Sequence, residues 1–361
     1  AWFWPLKERG LFAPEKSPPR VKDTKTDNTD APLWPILSYL KSLVQNNKAD
    51  KGLVVDLLST ARAIADYNLN RVPQKINFRT NWFIAQILFT VPPKYLNIDD
   101  MVRVQKFLQH ARGSSLISAD LAETGLPKII ETEQKDLLLA LLDVITEYDV
   151  TEAEPRAKIN GLVEGHWLQR ALMNNVSSMA GLAGIECADL AIRRIEAIGD
   201  CNPAVLSPLR HEKLAKEPKA YHPNKHVEIL VRFVREMLLN AIEQDQTRAK
   251  ERIRALAGSE LSLLRRLAVH IIDNTFENTG ELFFQLPRNP IDDLDLAHEV
   301  YDLLENHAEE FEQDQLGTVL EWIESATFSN RANNVPDDEK GDFIGWWKQK
   351  VLYALRARED D

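Results

Sequence analysis

His222 and His226 have the spacing of a zinc site. Two histidines four residues apart lie on one face of a helix, and imidazole nitrogens are common zinc ligands. Pro223 follows the first histidine, so we predict that His222 precedes the helix and does not lie on it. No HExxH motif and no cysteine pair stand nearby, and His211 would complete a three-histidine cluster only by chance. We interpret the pair as a loop histidine and a histidine at a helix start.

A second group of imidazoles and carboxylates lies further along the chain. Its members are His298, Glu299, His307, Glu309, Glu310 and Glu312. Helical carboxylates bind metals when several helices converge, usually through Glu-x-x-His motifs. Glu305 and His307 are too close together for that motif, so a solvated helix face is the favoured interpretation. A helical metal-dependent enzyme that uses these clustered side chains stays an alternative.

Positive charge is concentrated between residues 232 and 266. The run contains Arg232, Arg235, Arg248, Lys250, Arg252, Arg254, Arg265 and Arg266. Such a run could bind nucleic acid or an acidic protein. Acidic residues are interleaved with it, and acidic neighbours at helical spacing usually form intramolecular pairs. Surface pairing is therefore favoured, followed by contact with a protein partner, with a nucleic-acid-binding helical repeat as the third alternative.

Two arginines of that run lie inside an apolar helix. At least one of Arg265 and Arg266 must point toward a neighbouring helix, where a buried guanidinium needs a carboxylate. The candidate carboxylates are Asp292, Asp293 and Glu299. We expect a structural role for these arginines, and we interpret His270 on the same helix as a core histidine.

Trp346 and Trp347 are adjacent near the end of the chain, and Trp322 precedes them. Neighbouring positions on a helix are about 100° apart, so two adjacent tryptophans cannot both face one core. We predict that one of them is partly exposed or contacts something else. Two interpretations stay open, namely contact with the aromatic N-terminal segment and contact with a protein partner.

Motifs for nucleotide binding and nucleophilic hydrolysis are absent. The chain contains no GxxxxGK, no GxGxxG and no GxSxG, so nucleotide hydrolysis and serine hydrolase chemistry are not expected. The net charge of −11 disfavours general binding to a phosphate backbone. We expect no cofactor and no metal.

Composition indicates a helical protein of the cytoplasm. The 14 glycines are about half the usual share, which argues against a fold with many tight β-hairpins. Cys187 and Cys201 do not make a disulfide framework, so a reducing cytoplasm is expected. No apolar run approaches the roughly 18 residues of a membrane helix. The chain lacks an initiator Met and a signal peptide, so we expect a segment of a longer polypeptide.

The apolar spacing predicts a chain built almost wholly of α-helices. Residues 1–32 are predicted to be an extended aromatic and polar lead-in strap, and residues 33–200 an N-terminal helical array. Residues 201–224 form a proline-rich connection, and residues 225–361 a C-terminal helical-repeat array. Helix starts near Ser259 and Asp292 are separated by about 33 residues, a period of helix-pair repeats. The predicted fold is an all-α, irregular array of antiparallel helical hairpins, an α-solenoid.

Several segments resemble the HEAT-like helical arrays of large bacterial multidomain proteins. They are SLLRRLAVHIIDN (262–274), HEVYDLLENHAEEF (298–311), VLEWIES (319–325) and GWWKQKVLYAL (345–355). The opening WFWPLKERGLFAPEKSPP, followed by PLWPILSYL, is similar to the entry into such arrays. Several of those proteins combine an array with an NTPase or effector domain in antiphage defence. The resemblance implies a scaffold or recognition module whose enzymatic part lies elsewhere.

Taken together, these features predict a non-enzymatic helical-repeat scaffold that binds a protein partner or other domains of a longer chain. Nucleic acid and membrane are not expected partners. The residues predicted to contact the partner are Trp346, Trp347, Arg248, Arg252, Arg254 and Arg265.

Overall fold

The computed structural model describes residues 2–22, 29–46, 50–110, 114–151, 158–201, 206, 214, 225–327 and 340–356. Over these ranges the protein is mainly α-helical, as the apolar spacing predicts. The β-structure in the same ranges consists of two small sheets. Strand β1 (Val21–Lys22) pairs with β2 (Thr29–Asp30), and β3 (Tyr148–Thr151) pairs with β4 (Lys158–Gly161). None of the described helices is long and apolar enough to cross a membrane.

The chain divides into two compact units. The N-terminal unit comprises Ala1–Thr151 and Ile159–Ala183, and the C-terminal unit comprises Glu152–Lys158 and Gly184–Asp361. Gly184 has a φ of 49°, a left-handed conformation that ends a helix at little cost for glycine. The predicted connection at residues 201–224 falls almost wholly outside the described residues and stays a prediction.

Ten helices are described in the N-terminal unit. They are α1 (Phe3–Glu8), α2 (Pro35–Asn46), α3 (Lys51–Leu69), α4 (Phe78–Thr90), α5 (Ile98–Gln109), α6 (Ser114–Asp120), α7 (Leu126–Glu131), α8 (Lys135–Ile145), α9 (Gly165–Met173) and α10 (Val176–Ala183). Helix α4 packs against α2, α3, α5 and α6 and forms the centre of the unit. The Asn77 side chain caps its first turn by accepting from the backbone N–H groups of Arg79 and Thr80. Lys128 donates to the carbonyls of Phe89, Thr90 and Val91 at its C-terminus, where a cation is favoured.

The lead-in strap is partly helical, which corrects the prediction that it is extended throughout. Helix α1 forms because Pro5 lies in its first turn and Phe3 is fully buried beneath it. The ring of Phe3 stacks on Phe12 at 5.3 Å, and Phe12 stacks on Tyr39 of α2 at 6.2 Å. Trp2 is 75% exposed, so the aromatic opening packs on the helical body only in part.

Eight helices are described in the C-terminal unit. They are α11 (Ile185–Cys201), α12 (Lys225–Gln244), α13 (Gln246–Ala257), α14 (Ser262–Asn274), α15 (Phe276–Thr279), α16 (Ala297–His307), α17 (Gln313–Ser325) and α18 (Lys340–Leu355). Helix α12 packs against α11, α13 and α14. Helix α16 packs against α14 and α18, so successive helices bury their apolar faces on one another. Gly184 separates α10 from α11.

Candidate functional site

The two adjacent tryptophans of α18 lie in opposite environments. Trp347 is 4% exposed, and its indole N–H donates to the carbonyl of Ile291 at 3.4 Å. Trp346 is 56% exposed, with its ring centroid 6.2 Å from that of Trp347. The 100° step between helix positions predicts this difference, which the burial values confirm. Trp347 therefore anchors α18 in its unit, and Trp346 is exposed at the surface.

One lysine lies close to three aromatic rings at this surface. The Nζ of Lys350 lies 5.5 Å from the Trp346 ring, 5.4 Å from the Trp347 ring and 5.2 Å from the ring of Tyr301 on α16. An ammonium over an aromatic face is attracted by the ring quadrupole. The shared cation places the indole of Trp346 near the junction of α16 and α18.

The exposed side of α18 continues beyond Trp346. Tyr353 follows seven residues later on the same side of the helix and is 66% exposed. Leu352 is also exposed and lies about 100° from Tyr353 around the helix. Val351 and Ala354 are buried on the side of the helix that carries Trp347. We call Trp346, Leu352 and Tyr353 the α18 face. Leu352 and Tyr353 were not predicted from the sequence, although the seven-residue spacing of Tyr353 from Trp346 is a signal that places both on one side of a helix.

The arginines predicted to contact a partner lie mainly in intramolecular pairs. Arg248 is 3.3 Å from a carboxylate oxygen of Glu186, and Arg252 is 2.7 Å from one of Asp189, both carboxylates being on α11. Arg254 donates to the side-chain amide of Gln285 at 3.4 Å. The charges of Arg248 and Arg252 are thus largely offset on the surface, as the favoured interpretation holds, whereas Arg254 contacts a neutral amide. Their contact with a partner stays a prediction.

Arg265 and Arg266 use two of the three carboxylates that the sequence nominated. Arg265 donates to Asp293 at 2.6 Å and 3.1 Å, and to the carbonyls of Ser259 and Glu260. Arg266 is fully buried and makes a bidentate pair with Glu299 at 2.8 Å and 2.7 Å. Asp292 instead accepts from the backbone N–H of Thr327 at 2.7 Å. Both arginines tie α14 to the segment that begins α16.

His270 is a core residue, as predicted. Burial, followed by the nearby positive charge of Arg235, lowers its pKa from 6.5 to about 4. The negative charges of Asp302 and Glu236 act in the opposite direction, and Arg266 acts in the same direction as Arg235. The imidazole is therefore neutral at pH 7.

The histidines do not assemble a metal site in the part of the chain that the structure describes. His211 and His222 lie outside that part, and His226 is buried at the start of α12. His307 stacks on Phe276 at 4.2 Å and lies 2.8 Å from Glu310. Among the described residues, no group of three or more His, Cys, Asp or Glu side chains is placed to hold a metal ion.

A buried ion-pair network in the N-terminal unit was not foreseen. Asp100 is fully buried and accepts from Arg62 at 2.8 Å and 2.6 Å, while Arg103 reaches it at 3.3 Å. Arg103 also makes a bidentate pair with Asp66, which raises the pKa of its guanidinium. The Asp100 carboxylate also accepts from the backbone N–H of Asn97, the N-cap residue of α5, whose side chain accepts from the backbone N–H of Asp100 in return. The network fastens α5 to α3 and is structural.

Comparisons with protein-family models, with curated proteins and with solved structures found no match to this chain.

Proposed function

We propose that this protein is a non-enzymatic helical scaffold, an irregular array of HEAT-like helical hairpins, that binds a protein partner through the α18 face. The observation that carries the proposal is Trp346, a large aromatic side chain that is 56% exposed beside its buried neighbour Trp347. Tryptophan and tyrosine are enriched among the residues that dominate binding energy at protein interfaces. Such side chains bind a partner by burying apolar surface and by shape complementarity, and no catalysed reaction is involved.

Rigidity of the surface supports the same proposal. Trp347 anchors α18, and Lys350 holds the exposed indole in a shared cation–π contact. A side chain that is already ordered loses less conformational entropy when a partner covers it. The buried Trp347 and the shared contact with Lys350 favour a defined position of the Trp346 indole before a partner binds.

The resemblance to arrays of bacterial multidomain proteins supports a particular kind of partner. In such proteins the array is joined to an NTPase or effector domain. We propose that the partner is a domain of this class, in the same polypeptide or in a separate one, with antiphage defence as the setting. The protein would act in the cytoplasm.

A pull-down experiment tests the proposal. The full chain and the variants Trp346→Ala and Trp2→Ala are immobilised, and proteins retained from an extract of the source cells are identified. Trp2 is also exposed and lies in the other unit, so it controls for the loss of any surface tryptophan. We expect a protein that the wild type and Trp2→Ala retain and that Trp346→Ala loses. Retention that is equal for all three proteins would contradict the proposal.

A further inference from the structure

Negative charge is concentrated in one segment of the C-terminal unit. Residues 289–330 contain twelve Asp and Glu residues and no Lys or Arg, although the whole chain has a net charge of only −11. The remainder of the chain is therefore close to neutral. Charge placed on one part of a surface steers oppositely charged partners toward it. This asymmetry lies in the segment that contains α16 and α17.

Part of that charge is used inside the unit, and part faces the solvent. Asp293 and Glu299 pair with Arg265 and Arg266, and Glu310 pairs with His307. Six other carboxylates are exposed, and within the described ranges none of them makes an ion pair. They are Glu305, Glu309, Glu312, Asp314, Glu321 and Glu324. We call these six the acidic surface.

Helices α16 and α17, which carry the acidic surface, both pack against α18. Lys348 of α18 donates to the carbonyl of Glu324 at 2.8 Å, which places the end of α17 beside α18. Lys350 lies over rings of both α16 and α18, which joins the third helix to them. Leu320 on α17 is a further exposed apolar side chain. The apolar side chains of the α18 face and the exposed carboxylates therefore lie on helices that pack against one another.

We propose that the α18 face and the acidic surface together bind a basic amphipathic segment of a partner protein. Leucine-sized apolar side chains of the segment would pack on Trp346, Leu352 and Tyr353. Its lysines or arginines would lie along the carboxylates of α16 and α17, where complementary charge speeds association and fixes orientation. A segment without cations would leave the carboxylates unmatched, and a segment without apolar residues would leave the α18 face uncovered. The inference rests on the proposed function and names the chemistry of the partner.

A binding assay with a defined probe tests the inference. The probe is a fluorescent helical peptide of about four turns, made only of lysine and leucine, and its Kd for the full chain is measured by anisotropy at low salt. We expect Trp346→Ala to weaken binding about tenfold, the scale of an interfacial hot spot. The double variant Glu321→Gln with Glu324→Gln should weaken it about three- to tenfold. Added salt should weaken wild-type binding as well.

Matched controls separate the charge of the site from the charge of the molecule. The double variant Glu8→Gln with Glu15→Gln makes the same change in net charge at exposed positions of the N-terminal unit, and it should bind as the wild type does. A peptide of lysine and serine should bind at least about tenfold more weakly than the lysine–leucine peptide, because it lacks apolar anchors. A glutamate–leucine peptide should not bind.

Three outcomes would overturn the inference. The first is no binding of the lysine–leucine peptide, and the second is equal weakening in both double variants. The third is a dimer, detected by sedimentation, that dissociates in the Glu321→Gln and Glu324→Gln variant, since a second copy would then occupy the surface. A partner retained in a Trp346-dependent manner would keep the proposed function intact in the first two cases. If the peptide does not bind and no partner is retained in a Trp346-dependent manner, both proposals are wrong.

Discussion

At the scale of single residues, the fully buried pair of Arg266 and Glu299 is the most consequential interaction of the C-terminal unit. Two charges removed from water stay favourable only while they neutralise each other. Removal of one partner leaves the other charge buried and unpaired. The pair therefore holds α14 against α16 mainly because separating the two charges would leave each one buried and unpaired. The strength of their mutual attraction matters less.

We predict that Glu299→Gln lowers the free energy of unfolding by about 3–5 kcal/mol, because Arg266 stays charged in an apolar site. The measurement is urea unfolding followed by circular dichroism. Glu260→Gln is the matched control, since its pair with Arg288 is exposed and should be worth less than about 1 kcal/mol. The double variant Arg266→Met with Glu299→Leu should recover most of the loss. Equal effects of Glu299→Gln and Glu260→Gln would show that the buried pair has no special role.

The lowered pKa of His270 makes the stability of the protein depend on pH. Burial keeps the imidazole neutral in the folded protein down to about pH 4, whereas the unfolded chain takes up a proton near pH 6.5. Protons then favour the unfolded state, so this contribution is fully present above pH 6.5 and is lost as the pH falls toward 4.

We predict that the free energy of unfolding falls by about 2 kcal/mol more in the wild type than in His270→Gln between about pH 7.5 and pH 5. The comparison cancels the contributions of groups that titrate equally in both proteins. His110 is one of them, and its pKa is also lowered by burial. Chemical unfolding at the two pH values gives the difference. Parallel pH profiles of the two proteins would argue against a neutral buried imidazole.

At the scale of elements, the close contact between α4 and the start of α7 depends on Gly125, which has no side chain. Residues 121–125 form one wide helical turn between α6 and α7. A Cβ on Gly125 would lie 2.6 Å from the ring of Phe89. The aromatic ring is itself buried against the centre of the unit, so it has little room to move.

We predict that Gly125→Ala destabilises the protein by about 1–3 kcal/mol through overpacking. Gly181→Ala is the control, because nothing lies within 4 Å of a Cβ there and the residue is inside α10. Alanine at that position should stabilise the helix by about 0.5–1 kcal/mol. Thermal unfolding of both variants measures the two opposite shifts. A stabilising effect of Gly125→Ala would contradict the packing described for Phe89.

Helix positions could be predicted from apolar spacing, whereas helix ends could not be placed to the residue. Ser259 was expected to begin one helix, but it accepts from Leu261 and α14 begins at Ser262. Asp292 was expected to begin another, but Asp293 caps a short turn before α16. Several polar residues near a helix start compete for the cap, and tertiary contacts decide between them.

Long-range partners were predictable only where burial left few choices. An arginine inside an apolar helix must find a carboxylate, so Asp293 and Glu299 could be nominated for Arg265 and Arg266. Arg62 carries no such signal, and its pairing with Asp100 follows from the packing of α3 on α5. Periodicity shows which face of a helix is buried and does not show which helix covers it.

At the scale of the whole molecule, we propose that one surface of the C-terminal unit binds a protein. The α18 face carries the exposed rings of Trp346 and Tyr353, and the neighbouring helices α16 and α17 carry the acidic surface. Patches of this kind on otherwise polar surfaces mark interaction sites. The array of hairpins would hold the surface rigid, and any enzymatic activity would belong to the partner.

Site-specific photo-crosslinking tests this claim most directly. A photoreactive phenylalanine analogue is placed at position 346 in the full chain, and cells of the source organism are irradiated. Val72 in the N-terminal unit serves as the control position, because its exposure of 57% matches the 56% of Trp346. We predict a discrete protein adduct from position 346 and none from position 72. No adduct at 346, or the same adduct at both positions, would contradict the claim.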